Sequence, residues 1–167
     1  MSRVYGVMPG KVKKVKDPQG EGRVLVEFSW MEGNNQSYWA PIATLMSGGG
    51  RGAWFQPEVG DEVLVAFDRG DVNHPYIVGF LWNGGDRPPT TDPHLRLIRS
   101  VNGHEIAIYD PDIQNGDAGY IRLQDRHGNL IELANGRISI RGVAAIEINA
   151  PTILINGRPV SLAPSLI

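Results

Sequence analysis

GNLIELANGRISIRGVAAIEINAPTILINGRP (residues 128–159) sets its apolar residues in pairs one position apart. Ile131/Leu133, Ile138/Ile140, Ile146/Ile148 and Ile153/Ile155 recur at spacings of seven, eight and seven residues. Apolar residues alternating with polar ones mark a half-buried strand. The strands implied are short, and Gly128, Asn135, Gly136, Gly142, Pro151, Asn156 and Gly157 occupy the breaks between them. Two earlier segments, GHEIAIYD and GYIRLQD, add the pairs Ile106/Ile108 and Ile121/Leu123. Self-similarity of this kind is read as a repeat before any local motif is considered.

The repeat is too short to bury itself. A one-chain β-solenoid needs roughly 18 residues per three-sided coil and about three stacked repeats for stability. Residues 128–156 would make fewer than two such coils. Burying a branched aliphatic side chain is worth about 1.5–3 kcal/mol, which a lone chain would forgo with its isoleucines half in water. Three identical chains resolve the problem. Each supplies one side of a triangular prism at each level, the pairs meet on the axis, and neighbours cover the strand edges. Glu132, Arg137, Ser139, Arg141, Glu147 and Asn149 then point outward. The expectation is a trimer-axis core of Ile131, Leu133, Ile138, Ile140, Ile146, Ile148, Ile153 and Ile155, with Gly136, Gly142 and Gly157 at the corners. One half of an ordinary antiparallel sandwich is the competing reading.

Ahead of the repeat the chain reads differently. RVLVEFSW (23–30) places Val24, Val26, Phe28 and Trp30 on one face. QSYWAPI (36–42), DEVLVAF (61–67), HPYIVGFLW (74–82) and KVKKVK (11–16) supply four more candidate strands. Five short strands without a helical stripe suggest a small closed barrel, with the five-stranded oligonucleotide/oligosaccharide-binding (OB) barrel as the leading candidate. The expected organisation is all-β. It has a barrel over 1–84, a Pro/Gly/Thr-rich linker over 85–100, an intertwined trimeric β-helix or needle over 101–157, and an end segment over 158–167.

Composition narrows the functional classes. The formal charge is −2, and residues 1–90 and 91–167 each stand near −1, which gives no basic footprint for nucleic acid. With no cysteine, disulfides, thiolate metal sites and a cysteine nucleophile are excluded. No apolar run is long enough for a transmembrane helix. The start, MSRVYGVMPGKVKKVK, lacks the apolar segment of a secretory signal.

Catalytic and metal signals are weak. His74, His94, His104 and His127 are scattered, without paired-ligand spacing, and read as turn residues. SGGGRG (47–52) lacks the Lys-Ser/Thr of a phosphate loop and reads as a mobile or close-packed loop. DPDIQNGD (110–117) has Asn115 where a calcium loop requires glycine and Ile121 where it requires glutamate, so it reads as a polar turn. Asp61 and Glu62 are adjacent and would point to opposite faces of a strand. No GxSxG occurs. The chain is expected to be no enzyme and to take no cofactor and no metal. Trp30, Tyr38, Trp39, Trp54 and Phe55 could stack on single-stranded nucleic acid. Without a basic groove they are read mainly as core and interface. The alternative function is an OB-fold module for single-stranded nucleic acid or carbohydrate with a β-sandwich extension.

GRVLVEFSW (22–30), SYWAPI (37–42) and GGGRGAWFQPEVGDEVLVAFDRGDVNHPYIVGFLWNG (48–84) together carry a family likeness. This ordered run resembles the OB domain of spike proteins in contractile injection machines. The family includes the baseplate assembly protein V family of contractile phage tails, the central spike of T4-like phages and the valine-glycine-repeat spikes of type VI secretion. The repeat over 101–156 looks like the triangular needle of the same family. The resemblance implies a homotrimeric structural spike, assembled in the cytoplasm and built into a phage tail-like particle, which is released extracellularly in some systems. It implies a baseplate hub protein on the OB side and a separate proline-alanine-alanine-arginine-repeat (PAAR-type) tip protein on the needle. It implies transient contact with a target membrane and no nucleic-acid partner. Relative to some members, no lysozyme domain lies between barrel and needle and no His-x-His motif is present, and hub domains are not expected ahead of Val4. Separate hub and tip proteins are therefore expected, with Val160, Leu162, Leu166 and Ile167 as candidate contacts for the tip.

Overall fold

The computed structural model describes residues 3–31, 33, 35–112 and 116–160. It is all-β apart from a 3-10 turn at Asp68–Gly70, and it divides into Met1–Pro88 and Pro89–Ile167.

The first unit is built on a four-stranded antiparallel sheet. Its strands are β1 (Val7–Lys14), β2 (Leu25–Glu27), β5 (Glu62–Phe67) and β6 (Pro75–Phe80), in the order β2-β1-β5-β6. Alternation does what the sequence suggested: Val63, Val65 and Phe67 are buried on one side of β5, and Val24, Val26 and Phe28 are buried along and beside β2. QSYWAPI is not a regular strand. It touches the sheet through bridges instead, Glu27 to Gln36 and Val24 to Ala40 on one side and Ile42 to Ile77 on the other. Backbone hydrogen bonds Val24 N–H to Ala40 O, Ala40 N–H to Val24 O and Ile77 N–H to Pro41 O join the two sheet edges through this segment. Pro41 has no N–H to give, which interrupts a regular ladder at the point of closure. The result is the expected barrel, with an irregular fifth side. A bulge in β6 beside Leu64/Val65 adds curvature.

The barrel core is Val12, Val24, Val26, Phe28, Ala40, Val63, Val65, Phe67 and Ile77. Gly10 faces into it from β1, where a Cβ would run into Val26 and sit 3.0 Å from the Phe28 ring. Of the aromatics expected as core and interface, Trp39 is half-buried and Trp30, Tyr38, Trp54 and Phe55 are exposed, while Phe28 and Phe67 fill the interior. SGGGRG forms a small hairpin of β3 (Ser47–Gly48) and β4 (Arg51–Gly52).

The second unit is a five-stranded antiparallel meander. Its strands are β7 (Leu95–Arg99), β8 (Glu105–Tyr109), β9 (Tyr120–Gln124), β10 (Leu130–Ala134) and β11 (Arg137–Arg141). β7 lies inside the stretch expected to be linker. Its Leu95 and Leu97 alternate with arginine and isoleucine, and it pairs fully with β8. A two-stranded hairpin, β12 (Leu154–Ile155) with β13 (Arg158–Pro159), follows. The pair Ile146/Ile148 lies on backbone assigned to no strand in the single chain.

Candidate assembly interface

The registers of the meander place side chains in rows. Ile98, Ile106, Leu123, Ile131 and Ile140 form one row across β7 to β11. Arg96, Ile108, Ile121, Leu133 and Ile138 form the row beside it. Partners directly opposite in an antiparallel pair share a face, so nine aliphatic side chains tile one side of the sheet. Each of the nine is 43–69% exposed. Ala107, on the other side, is the one fully buried apolar residue of this unit among the described residues.

The opposite face closes on itself. Arg122 Nε donates to Glu132 Oε2 at 2.9 Å, and its guanidinium lies 4.1 Å from the Tyr120 ring centroid. Tyr109 stacks on Tyr120 with centroids 5.3 Å apart, and Arg99 Nη2 donates to Glu105 Oε2 at 2.7 Å. This polar face is thus internally paired, while the apolar face is covered by nothing among the described residues. A water-facing sheet ordinarily has the reverse arrangement.

Carboxylates hold the ends of the sheet. Asp125 Oδ1 accepts the backbone N–H of His127 and of Asn129, and its Oδ2 accepts from Asn129 Nδ2 at 2.7 Å. The Asn129 amide above all, with these backbone donors, keeps Asp125 below the usual carboxylate range against the opposing effect of burial. Asp117 Oδ1 takes the Gly119 N–H and Asn135 Nδ2, so it ties the approach to β9 to the β10–β11 turn. That backbone donor first, then the Asn135 amide, lowers the Asp117 pKa. Both groups fix loops and stand clear of the aliphatic rows.

The sequence-predicted residues fall in distinct places. Ile131 and Leu133 lie on β10, and Ile138 and Ile140 on β11, all within the aliphatic rows. Ile146 and Ile148 are exposed on the segment after β11, Ile153 is half-buried, and Ile155 is exposed on β12. Gly136 and Gly157 are the second residues of two-residue hairpin turns. They have φ of +75° and +73°, after Asn135 at +48° and Asn156 at +52°. Positive φ at both central positions is the type I′ pattern, and Asn-Gly is its strongest sequence signal. Gly142 lies where a Cβ would collide with the Ala145 carbonyl. Val160 is exposed and its N–H donates to Ile153 O at 2.7 Å; Leu162, Leu166 and Ile167 lie outside the described residues. Ile98, Ile106, Ile108, Ile121 and Leu123 complete the face. Four of them are visible in the sequence as pairs, and Ile98 is hidden because it breaks the alternation of its own segment.

Residues 8–82 match the family model of the type VI secretion system/phage-baseplate injector OB domain. The chain belongs to the baseplate spike family. The type VI secretion system spike protein VgrG5 of Pseudomonas aeruginosa is 33% identical to this spike-family chain over 127 residues, 68% of the chain and 15% of VgrG5. VgrG2a of the same organism is 28% identical over 149 residues, 83% of the chain and 16% of that relative. The actin cross-linking toxin VgrG1 of Vibrio cholerae is 33% identical over 138 residues, 72% of the chain and 13% of the toxin. The spike-family chain therefore spans about a sixth or less of the length of these relatives. In all three the likeness covers more of the chain than the matched OB segment alone.

Proposed function

We propose that this chain forms the shaft of a homotrimeric spike at the centre of a contractile baseplate. Three copies turn their aliphatic faces to a common axis, and each strand of the meander becomes one level of a triangular needle. The observation that carries this reading is that, among the described residues of the second unit, one apolar residue is fully buried beside nine uncovered aliphatic ones. Full burial of such a side chain is worth about 1.5–3 kcal/mol, and roughly half remains to be gained, so assembly stands to contribute on the order of 10 kcal/mol per chain. Ile146, Ile148, Ile153 and Ile155 continue the same pattern beyond the sheet and join the axis once neighbouring chains supply strand partners. Gly136, Gly142 and Gly157 provide the changes of direction between levels.

The role is mechanical. Sheath contraction drives the trimer into a target envelope, and cohesion of the dry aliphatic layers resists unfolding under load. A hub protein docks on the barrel, and a PAAR-type tip protein caps the end near Val160, Leu162, Leu166 and Ile167. Assembly takes place in the cytoplasm before incorporation into a tail-like particle. No catalytic step is involved. Native mass measurement tests the core of this reading: a trimer is expected at micromolar concentration, and a clean monomer overturns it. Salt-sensitive binding of single-stranded DNA would favour the nucleic-acid module instead.

A further inference from the structure

One concavity of the barrel combines aromatic walls with unbalanced charge. It encloses about 320 Å³, and Phe55, Phe80 and Trp82 line it with Asp61, Glu62 and Asp86. The three rings are 50–67% exposed, well above what a ring packed into its own barrel shows. The carboxylates are only partly engaged by the protein. Asn83 Nδ2 donates to Glu62 Oε2 at 2.9 Å and to Asp86 Oδ2 at 3.2 Å, so one amide holds two acidic groups together. Asp61 Oδ2 accepts the Glu58 N–H at 2.9 Å. Among the described residues no cationic side chain forms an ion pair with any of the three, not even Lys11, the register partner of Glu62.

We propose that this cleft is a docking site for a partner protein that presents an arginine side chain between apolar residues. Like charges gathered by a neutral amide and left without a counter-ion favour a cation from outside. Exposed aromatic faces attract the same charge through their quadrupoles. Arginine fits both features better than lysine. Its planar group stacks on a ring while its forked donors reach carboxylate oxygens, and its stem lies along Phe55 and Phe80. The proposal concerns the barrel alone and is independent of assembly through the aliphatic face.

Acetyl-arginine amide and its neutral isostere acetyl-citrulline amide serve as probes on the full chain. The indole N–H resonance of Trp82, assigned by its loss in Trp82→Phe, reports occupancy. The arginine probe is expected to shift that resonance saturably in the millimolar range, and added salt is expected to weaken it. The citrulline probe should bind at least about tenfold less well, and Glu62→Gln with Asp86→Asn should weaken the arginine probe by a similar factor. Equal binding of the two probes, binding unchanged by the double variant, or no saturable shift with arginine would each overturn the proposal. An unchanged amide spectrum elsewhere confirms that the variant is folded.

Discussion

Replacing Ile131 by aspartate separates folding from assembly. Ile131 sits between Leu123 and Ile140 in an aliphatic row and is 43% exposed in the single chain. The side chain has therefore already gained rather more than half of its burial within one chain. The remainder is about 1 kcal/mol per chain, so loss of the contact alone costs about 3 kcal/mol per trimer, or about a hundredfold in association. The carboxylate adds far more. Near the axis three ionised groups would leave water together, each at an effective cost of several kcal/mol. The total penalty is on the order of 10 kcal/mol or more per trimer. In an unassembled chain the same aspartate keeps its water, and the meander loses only about 1–2 kcal/mol. Sedimentation equilibrium at micromolar concentration should show wild-type trimer and Ile131→Asp monomer, with the barrel's unfolding transition unchanged. Glu132→Gln, one position along but on the opposite face, weakens the pair with Arg122 and should leave the trimer intact. An assembled Ile131→Asp trimer, or a Glu132→Gln variant that dissociates as readily, refutes the assignment of faces.

Other perturbations test other parts of the structure. Gly10→Val forces a side chain into Val26 and Phe28 and should lower barrel stability by about 1–3 kcal/mol in urea titration. Gly136→Ala keeps φ at +75° with a Cβ present and should cost about 1 kcal/mol, read as a lower thermal midpoint of the second unit. Asp17, which Arg23 holds through Nε at 2.8 Å and Nη2 at 3.0 Å, has a strongly lowered pKa, chiefly from that side-chain contact. A carboxyl depressed in the folded state contributes its full stability above its unfolded value of about 3.9 and loses it as pH falls towards the folded value. Asp17→Asn should therefore be less stable than wild type at neutral pH and lose less stability on acidification below about pH 4. Single-stranded DNA should show no salt-sensitive binding to the wild-type chain, since neither part carries net positive charge.

Much of the barrel was legible because its strands alternate strictly, as Val63, Val65 and Phe67 do, and alternation is a local property. The closing segment at 36–42 was legible as extended chain and illegible as an irregular bridge. Its pairing runs to two different strands far away in sequence, and Pro41 interrupts the ladder. Which aromatic residues belong to the core and which to the surface was illegible for a related reason. Aromatic rings suit either side of a barrel wall, and only the closed barrel decides which of them face inward. Of the aliphatic face, the pairs from Ile106/Ile108 to Ile138/Ile140 were visible, whereas Ile98 was hidden in a segment that resembled linker. The Asn-Gly turns at 135–136 and 156–157 carried a hairpin signal of their own, which a reading focused on corners passes over.

The sequence by itself determined that the second unit contains short strands, four of which, β8 to β11, carry an aliphatic pair on one side. Period-two patterning depends only on neighbouring residues and the pleat of the backbone. Only the tertiary structure decided that the pairs fall in register. Strand order and the cross-strand partners of Leu123 and Ile121 depend on turns and hydrogen bonds that link distant positions, and a slip of one residue would send every pair to the other face. With that register in place, four separate pairs and Ile98 become two continuous rows, and nine aliphatic side chains are left facing water on one side of one chain.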